Sequence, residues 1–329
     1  MKVLILTEGG ERIGFGHVTR CISLCQAFEE SGMTPKLIIN ADESVKYLLK
    51  DCGDFQISDW LAEADTLKTS VSGADIVIID SYLADLPLYN QLSGLAGLPV
   101  YLDDFNRLNY PRGVVVNGSI NAAAIKYPKN AGLTFLLGAG YAPLRREFWD
   151  VPEKKINEHP GSLLMIFGNN KSAEMIPDFL DVLSKRFPNL TKNIVSGKES
   201  KNLKIPENSG KANFFYDADA GTMKQLMMDA DIAFSAGGQV LNELARVGVP
   251  TLAMAVAENQ LNNIKGWQES GFLEFIGWWR DDKVFQKFSE KLGSLESKEE
   301  RLKRGRIGKS NIDGQGARRV VAALLGSNK

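Results

Sequence analysis

Met1-Lys2-Val3-Leu4-Ile5-Leu6-Thr7 opens the chain as a strand-like apolar run. Gly14-Phe15-Gly16-His17-Val18-Thr19-Arg20 follows a few residues on, where the hydrophobic spacing turns from continuous to helical. Strand, glycine-bearing turn, helix is how an open α/β sheet begins, and that turn is where such sheets place a ligand. Val18, Cys21, Ile22, Cys25 and Phe28 keep one helix face, which predicts a helix from about Val18 to Ser31, ended by Gly32. His17 is one of two histidines in 329 residues, and its position speaks for chemistry over packing. The plainer alternative is that it caps or packs the first helix.

Working outward, the same grammar recurs. Lys36–Ile39, Ile76–Ile79, Val100–Leu102 and Val114–Val116 read as strands, with a helix near Glu43–Asp51. Apolar strands alternating with helices imply parallel pairing buried on both faces. Three strands finish on polar residues, Asp80, Asp103 and Asn117, which either line a ligand crevice or simply start turns. The segment 151–161 is charged, carries Pro152 and Pro160, and lacks periodicity, so it reads as a linker with His159 solvated. A second series follows: strands at Ser162–Phe167, Lys192–Val195, Ala212–Phe215, Ile232–Phe234 and Thr251–Ala255, with helices at about Ala173–Phe187, Gly221–Asp229 and Val240–Val247. The tail Lys298–Leu325 is helical, interrupted at Asp313-Gly314-Gln315-Gly316. The expectation is two doubly wound domains, 1–150 and 162–329, facing each other across a cleft.

The composition sets limits. A length of 329 residues favours two cores over one. A net charge of −1 leaves no global basic footprint for nucleic acid. Cys21, Cys25 and Cys52 are an odd set, and the first two share an apolar helix face, so buried free thiols are expected. Two histidines and no Cys/His cluster argue against structural zinc. No apolar run approaches the roughly 18 residues of a membrane span. The first residues lack a signal-peptide pattern, so a cytoplasmic protein is expected.

Gly237-Gly238 joins a buried strand to a helix, where free N–H groups and the helix dipole favour an anion. Glu243 lies on the first turns of that helix, where a carboxylate either steadies the helix or accepts from ribose hydroxyls. Gly9-Gly10 and Gly14/Gly16 form a second glycine turn, and two such turns suit a diphosphate. The spacing is not that of a dinucleotide fingerprint and there is no Walker A sequence, so no NAD and no other cofactor is expected.

Gly14-Phe15-Gly16-His17, Asp80-Ser81-Tyr82, Asp103-Asp104, Asn117 and Gly140-Tyr141-Ala142-Pro143-Leu144-Arg145-Arg146-Glu147-Phe148 together resemble the PseG family, the UDP-sugar hydrolases of pseudaminic acid biosynthesis. Ser235-Ala236-Gly237-Gly238-Gln239, Asn242-Glu243-Leu244, Gly248-Val249-Pro250 and Glu258-Asn259-Gln260 resemble the nucleotide-binding half that PseG shares with MurG-like glycosyltransferases. The likeness runs over about residues 1–280. It implies a GT-B fold, and release of UDP by water from UDP-2,4-diacetamido-2,4,6-trideoxy-β-L-altropyranose. It implies His17 as catalytic base and Gly14, Gly16, Tyr82, Asn259 and Gln260 beside the substrate. Ser235, Gly237, Gly238, Gln239, Glu243 and Gly168 would hold the nucleotide, Glu243 at the ribose. The turn Gly168-Asn169-Asn170-Lys171 departs from the family's Gly-Gly-Thr/Ser-Asp. Either Gly237-Gly238 carries the phosphate mainly, or Lys171 adds a charge.

Three functions fit these residues: a nucleotide-sugar hydrolase, a MurG-like glycosyltransferase, and a nucleotide-sugar binder without turnover. The first needs only the sugar nucleotide and water as partners. The second needs an acceptor groove, and no apolar or basic patch for a membrane-linked acceptor precedes Gly132.

Overall fold

The computed structural model describes the chain except residues 51, 129, 168–173, 208 and 327–329, and the side chains of residues 64, 66 and 199. The chain divides into two units. Unit 1 is Met1–Trp149 together with the chain from Gly314 onward, and unit 2 is Asp150–Asp313.

Unit 1 holds seven strands: β1 Val3–Glu8, β2 Lys36–Asn40, β3 Asp54–Ile57, β4 Ile76–Asp80, β5 Leu98–Leu102, β6 Gly113–Asn117 and β7 Leu133–Leu137. Their order is β3-β2-β1-β4-β5-β6-β7, and every pairing is parallel. The order reverses between β1 and β4, so the crevice beyond their carboxyl ends is the topological switch point. The period-two alternation of β1 decides its packing: Val3 and Ile5 enter one core layer, Leu4 and Leu6 the other.

Helix α1, Gly16–Glu30, covers the first layer with Val18, Cys21, Ile22, Cys25 and Phe28 buried. Gly32 ends it as predicted, at φ +79°, while Met33 N–H returns to the Phe28 carbonyl at 3.0 Å. The predicted helix near Glu43–Asp51 is a 3-10 turn over Glu43–Leu48. Helices α2, Ala64–Val71, and α3, Leu86–Leu95, and strands β3 and β7 were not predicted. β3 alternates polar and apolar residues over four positions, and Thr134 interrupts the half-buried β7.

Unit 2 holds β8 Ser162–Ile166, β9 Thr191–Ser196, β10 Ala212–Tyr216, β11 Ile232–Ala236, β12 Thr251–Ala255 and β13 Leu273–Trp278, ordered β10-β9-β8-β11-β12-β13 and again all parallel. Its helices are α4 Ile176–Arg186, α5 Ala220–Asp229, α6 Val240–Val247, α7 Leu261–Ser270, α8 Val284–Ser294 and α9 Lys298–Asn311. The switch point lies between β8 and β11. The aromatic core is a cluster of Phe167, Phe179, Phe234 and Phe288.

Two expected boundaries change. The sequence predicts one domain over 162–329, but helix α10, Gly316–Gly326, buries Ala317, Val320, Val321 and Leu324 in the core layer of Val3, Ile5 and α1. Gly316 makes that docking possible, because a Cβ there would stand 2.0 Å from the Ala142 carbonyl oxygen. Arg318 pairs with Glu30 at 2.5 Å. The predicted break at Asp313–Gly316 is therefore where the chain passes from unit 2 back to unit 1. The segment 151–161 is no free linker either. Asn157 and Gly161 donate to Asp231, and Arg301 donates to the Asn157 and Glu158 carbonyls, which lash it to unit 2. His159 in it is exposed, as predicted. Among the described residues, no helix is long and apolar enough to cross a membrane.

Candidate active site

The loop from β1 to α1 is a small closed turn. Gly10 and Gly14 exchange both backbone hydrogen bonds, at 3.1 and 2.7 Å, with φ of +115° and +96°. Left-handed backbone explains both glycines without a phosphate. Gly16 is the first residue of α1, whose N-cap, Phe15, makes no side-chain cap.

His17, next along, is 8% exposed. Its Nδ1 lies 2.6 Å from Oδ1 of Asp80, the wholly buried last residue of β4. Arg20, three residues on and so on the same helix face, grips Asp80 with two hydrogen bonds, Nε–Oδ2 at 2.5 Å and Nη2–Oδ1 at 2.6 Å. Its Nη1 reaches both oxygens of Asp104 at 2.8 and 2.9 Å. The Tyr82 hydroxyl donates to Asp104, and the Tyr82 ring stands edge-on to His17 at 4.5 Å between centroids.

Burial pushes the Asp80 carboxyl up, but Arg20 and His17 outweigh it and hold the group well below the usual carboxylate range. Burial and Asp104 keep the Tyr82 phenol protonated. Burial and then Asp80 push the Cys21 thiol up, so it is inert. An ionised Asp80 can accept a hydrogen bond from Nδ1–H, an arrangement in which Nε2 of a neutral imidazole would be the proton-accepting nitrogen.

The turn bearing Tyr82 is set by Glu8, the buried end of β1, which accepts from the Ser81 hydroxyl and, at 2.7 Å, from Tyr82 N–H. The other strand-end polar residues prove to be turn-makers. Asp103 accepts from Asn106 and Arg107 N–H and from the Tyr110 and Tyr127 hydroxyls. Asn117 bonds Ser119 N–H and Tyr127.

At the other switch point, Gly237 owes its identity to packing. A Cβ there would meet Ile264 at 2.3 Å, whereas a Cβ on Gly238 would meet nothing within 4 Å. Gln260 Oε1 accepts from Gly237 N–H at 3.2 Å and Val256 N–H at 3.0 Å, so it braces the turn. Asn263 donates to the Gly237 and Gly238 carbonyls. The Ser235 hydroxyl is buried on the Ala236 carbonyl at 2.9 Å. Gln239 is the N-cap of α6 and makes no side-chain cap, and Glu243 is buried on the first turns of that helix. Asn259 is exposed. Gly168-Asn169-Asn170-Lys171 lies outside the described residues.

The structure thus brings His17 and Tyr82 together in unit 1, and Ser235, Gly237, Gly238, Gln239 and Gln260 together in unit 2. Sequence reasoning missed Glu8, Arg20, Asp104 and Asn263. Arg20 was legible in principle, because the His17–Arg20 spacing puts both on one helix face.

Two Rossmann-like parallel sheets in one chain define a GT-B-like α/β protein. No family model matches the chain. Along its length it is similar to Acinetobacter baumannii MurG, at TM-score 0.64 and 13% identity over 99% of this chain and 100% of that one. It is also similar to S. aureus MnaA, solved with UDP, at TM-score 0.69 and 12% identity over 100% and 97%. Among curated proteins it is 24% identical, over 83% of the chain and 48% of the relative, to the Helicobacter pylori pseudaminic acid cytidylyltransferase and UDP-2,4-diacetamido-2,4,6-trideoxy-β-L-altropyranose hydrolase. It is 23% identical, over 79% of the chain and 57% of the relative, to an uncharacterized protein of Methanocaldococcus jannaschii. The chain spans about half the length of these curated relatives.

Proposed function

We propose that this chain is a UDP-sugar hydrolase that removes UDP from a 2,4-diacetamido-2,4,6-trideoxy sugar in the making of pseudaminic acid. The observation that carries the reading is the His17–Asp80 pair, with its 2.6 Å contact at the carboxyl end of a parallel sheet. The name of the Helicobacter pylori relative supplies the substrate class.

In this reading Asp80 holds the Nδ1 proton and Nε2 takes a proton from water. The water oxygen bonds to the anomeric carbon as the bond from that carbon to the diphosphate oxygen breaks, and the electron pair leaves with UDP. Attack from the face opposite UDP inverts the anomeric centre. The charge gathering on UDP is met by the backbone N–H groups at Gly238 and the start of α6. Glu243 accepts from the ribose, and Tyr82, Gly14, Gly16, Asn259 and Gln260 serve substrate placement.

The test is UDP release from the altropyranose donor by the purified chain, with product capture to show whether water or a sugar hydroxyl is the acceptor. His17→Ala should slow release by about 10²–10⁴-fold. No release, or an unchanged rate in that variant, defeats the hydrolase reading. Transfer to a hydroxyl in preference to water replaces it with a glycosyltransferase, and tight binding without turnover with a binder.

A further inference from the structure

Arg20 creates an electrostatic problem for a base at His17. Its guanidinium is doubly bonded to Asp80 and lies 3.2 Å from His17 Nδ1. Arg20 and Asp80 alone sum to zero charge. An imidazolium formed during turnover would then face a pair with no net charge, Asp80 at 2.6 Å and the Arg20 guanidinium close behind at 3.2 Å. Asp104 changes that sum. It takes the far side of Arg20 through two further bonds, and its side chain is one-quarter exposed. With Tyr82 protonated, the cluster carries one net negative charge while His17 is neutral and none once His17 is protonated.

The remaining charged or titratable neighbours on the packed elements are already engaged. Glu8, from β1, serves Ser81 and Tyr82 N–H, and Arg107 serves the Ser81 and Ala84 carbonyls. Asp103 is turned to Tyr110 and Tyr127. Cys21, on α1, offers its thiol to Asp80 at 3.6 Å.

We propose that Asp104 is a positioning residue for the base: acting through Arg20, it supplies the negative charge that a protonated His17 requires. This rests on His17 being the base of the proposed reaction, but its test needs no substrate.

The chain has only His17 and His159, so imidazole NMR signals are assigned by one variant, His159→Gln. In Asp104→Asn the midpoint of the His17 titration should fall by about one pH unit. Asp104→Glu, which restores the charge, should return it toward the parent. Tyr82→Phe, which removes a hydrogen bond but no charge, should move it far less. Should Asp104→Asn fail to fold, Asp104→Ser gives the same neutral comparison. A His17 midpoint that stays with the parent in the folded neutral variant overturns the inference, even if hydrolysis proceeds. A shifted midpoint without UDP release upholds this wiring of His17 and defeats only the hydrolase reading.

Discussion

The β1–α1 turn of unit 1 and the β11–α6 turn of unit 2 each lie at the switch point of their sheet, on opposite sides of the reversal, and they spend their residues differently. The first uses glycine for left-handed backbone and then sets a histidine into a buried charge chain, Asp80–Arg20–Asp104. The second uses Gly237 to admit Ile264, and ties its backbone with the neutral amides of Gln260 and Asn263. The same strand–turn–helix frame therefore carries a buried charge chain in one unit and an amide-braced glycine turn in the other. Glycine content alone does not distinguish the two, but the side chains around it do.

The comparison breaks most sharply at Asp80. An amide at that position would donate to Nδ1 and leave the proton on Nε2, so Asp80→Asn should slow UDP release on the order of 10³–10⁴-fold with little change in UDP affinity. Steady-state kinetics beside a UDP titration check it, and a large loss of UDP affinity would mean that the two turns are not separate in role. Next in size, Leu324→Ala in α10 should cost unit 1 about 2–5 kcal/mol and leave unit 2 untouched. Hydrogen exchange read peptide by peptide resolves which unit opens. Gly237→Ala should cost unit 2 about 1–3 kcal/mol through its clash with Ile264. Gly238→Ala should change stability by less than about 0.5 kcal/mol, so any loss it causes in UDP affinity reports on the anion site itself.

Acid gives the smallest contrast. The folded Asp80 carboxyl titrates below its unfolded value of about 3.9. Its contribution to unit 1 is thus complete above that value and drains away as pH falls below it. Unit 1 should open before unit 2 on acidification, and Asp80→Asn should flatten that limb.

Much of this was legible in the chain. Helix Val240–Val247 and strand Thr251–Ala255 match their predicted bounds, because each couples a clear period to a marked end: Gly248 at φ +81° closes the helix. β3, β7 and β13 escaped, since these edge strands are only partly buried and polar residues interrupt them, Gln56 in β3, Thr134 in β7 and Glu274 in β13. His17 could be picked out by its turn. Asp80 could be noticed, but its role could not be separated from those of Asp103 and Asn117, which end their strands in the same way yet serve only turns. That difference depends on which side chain arrives opposite, and Arg20 comes from 60 residues away. The destination of the last helix was equally hidden, for its apolar face would suit either core.

Helix α10 gives the molecule an order of assembly. A ribosome completes Asp150–Asp313 before it delivers the residues that seal Val3, Ile5 and α1. The part of the protein made first is therefore finished last. Until Gly316–Gly326 emerges, the part of this core layer that α1 leaves uncovered stays open to chaperones or to another nascent chain. A stop codon near Asp313 would release unit 2 whole and unit 1 unsealed.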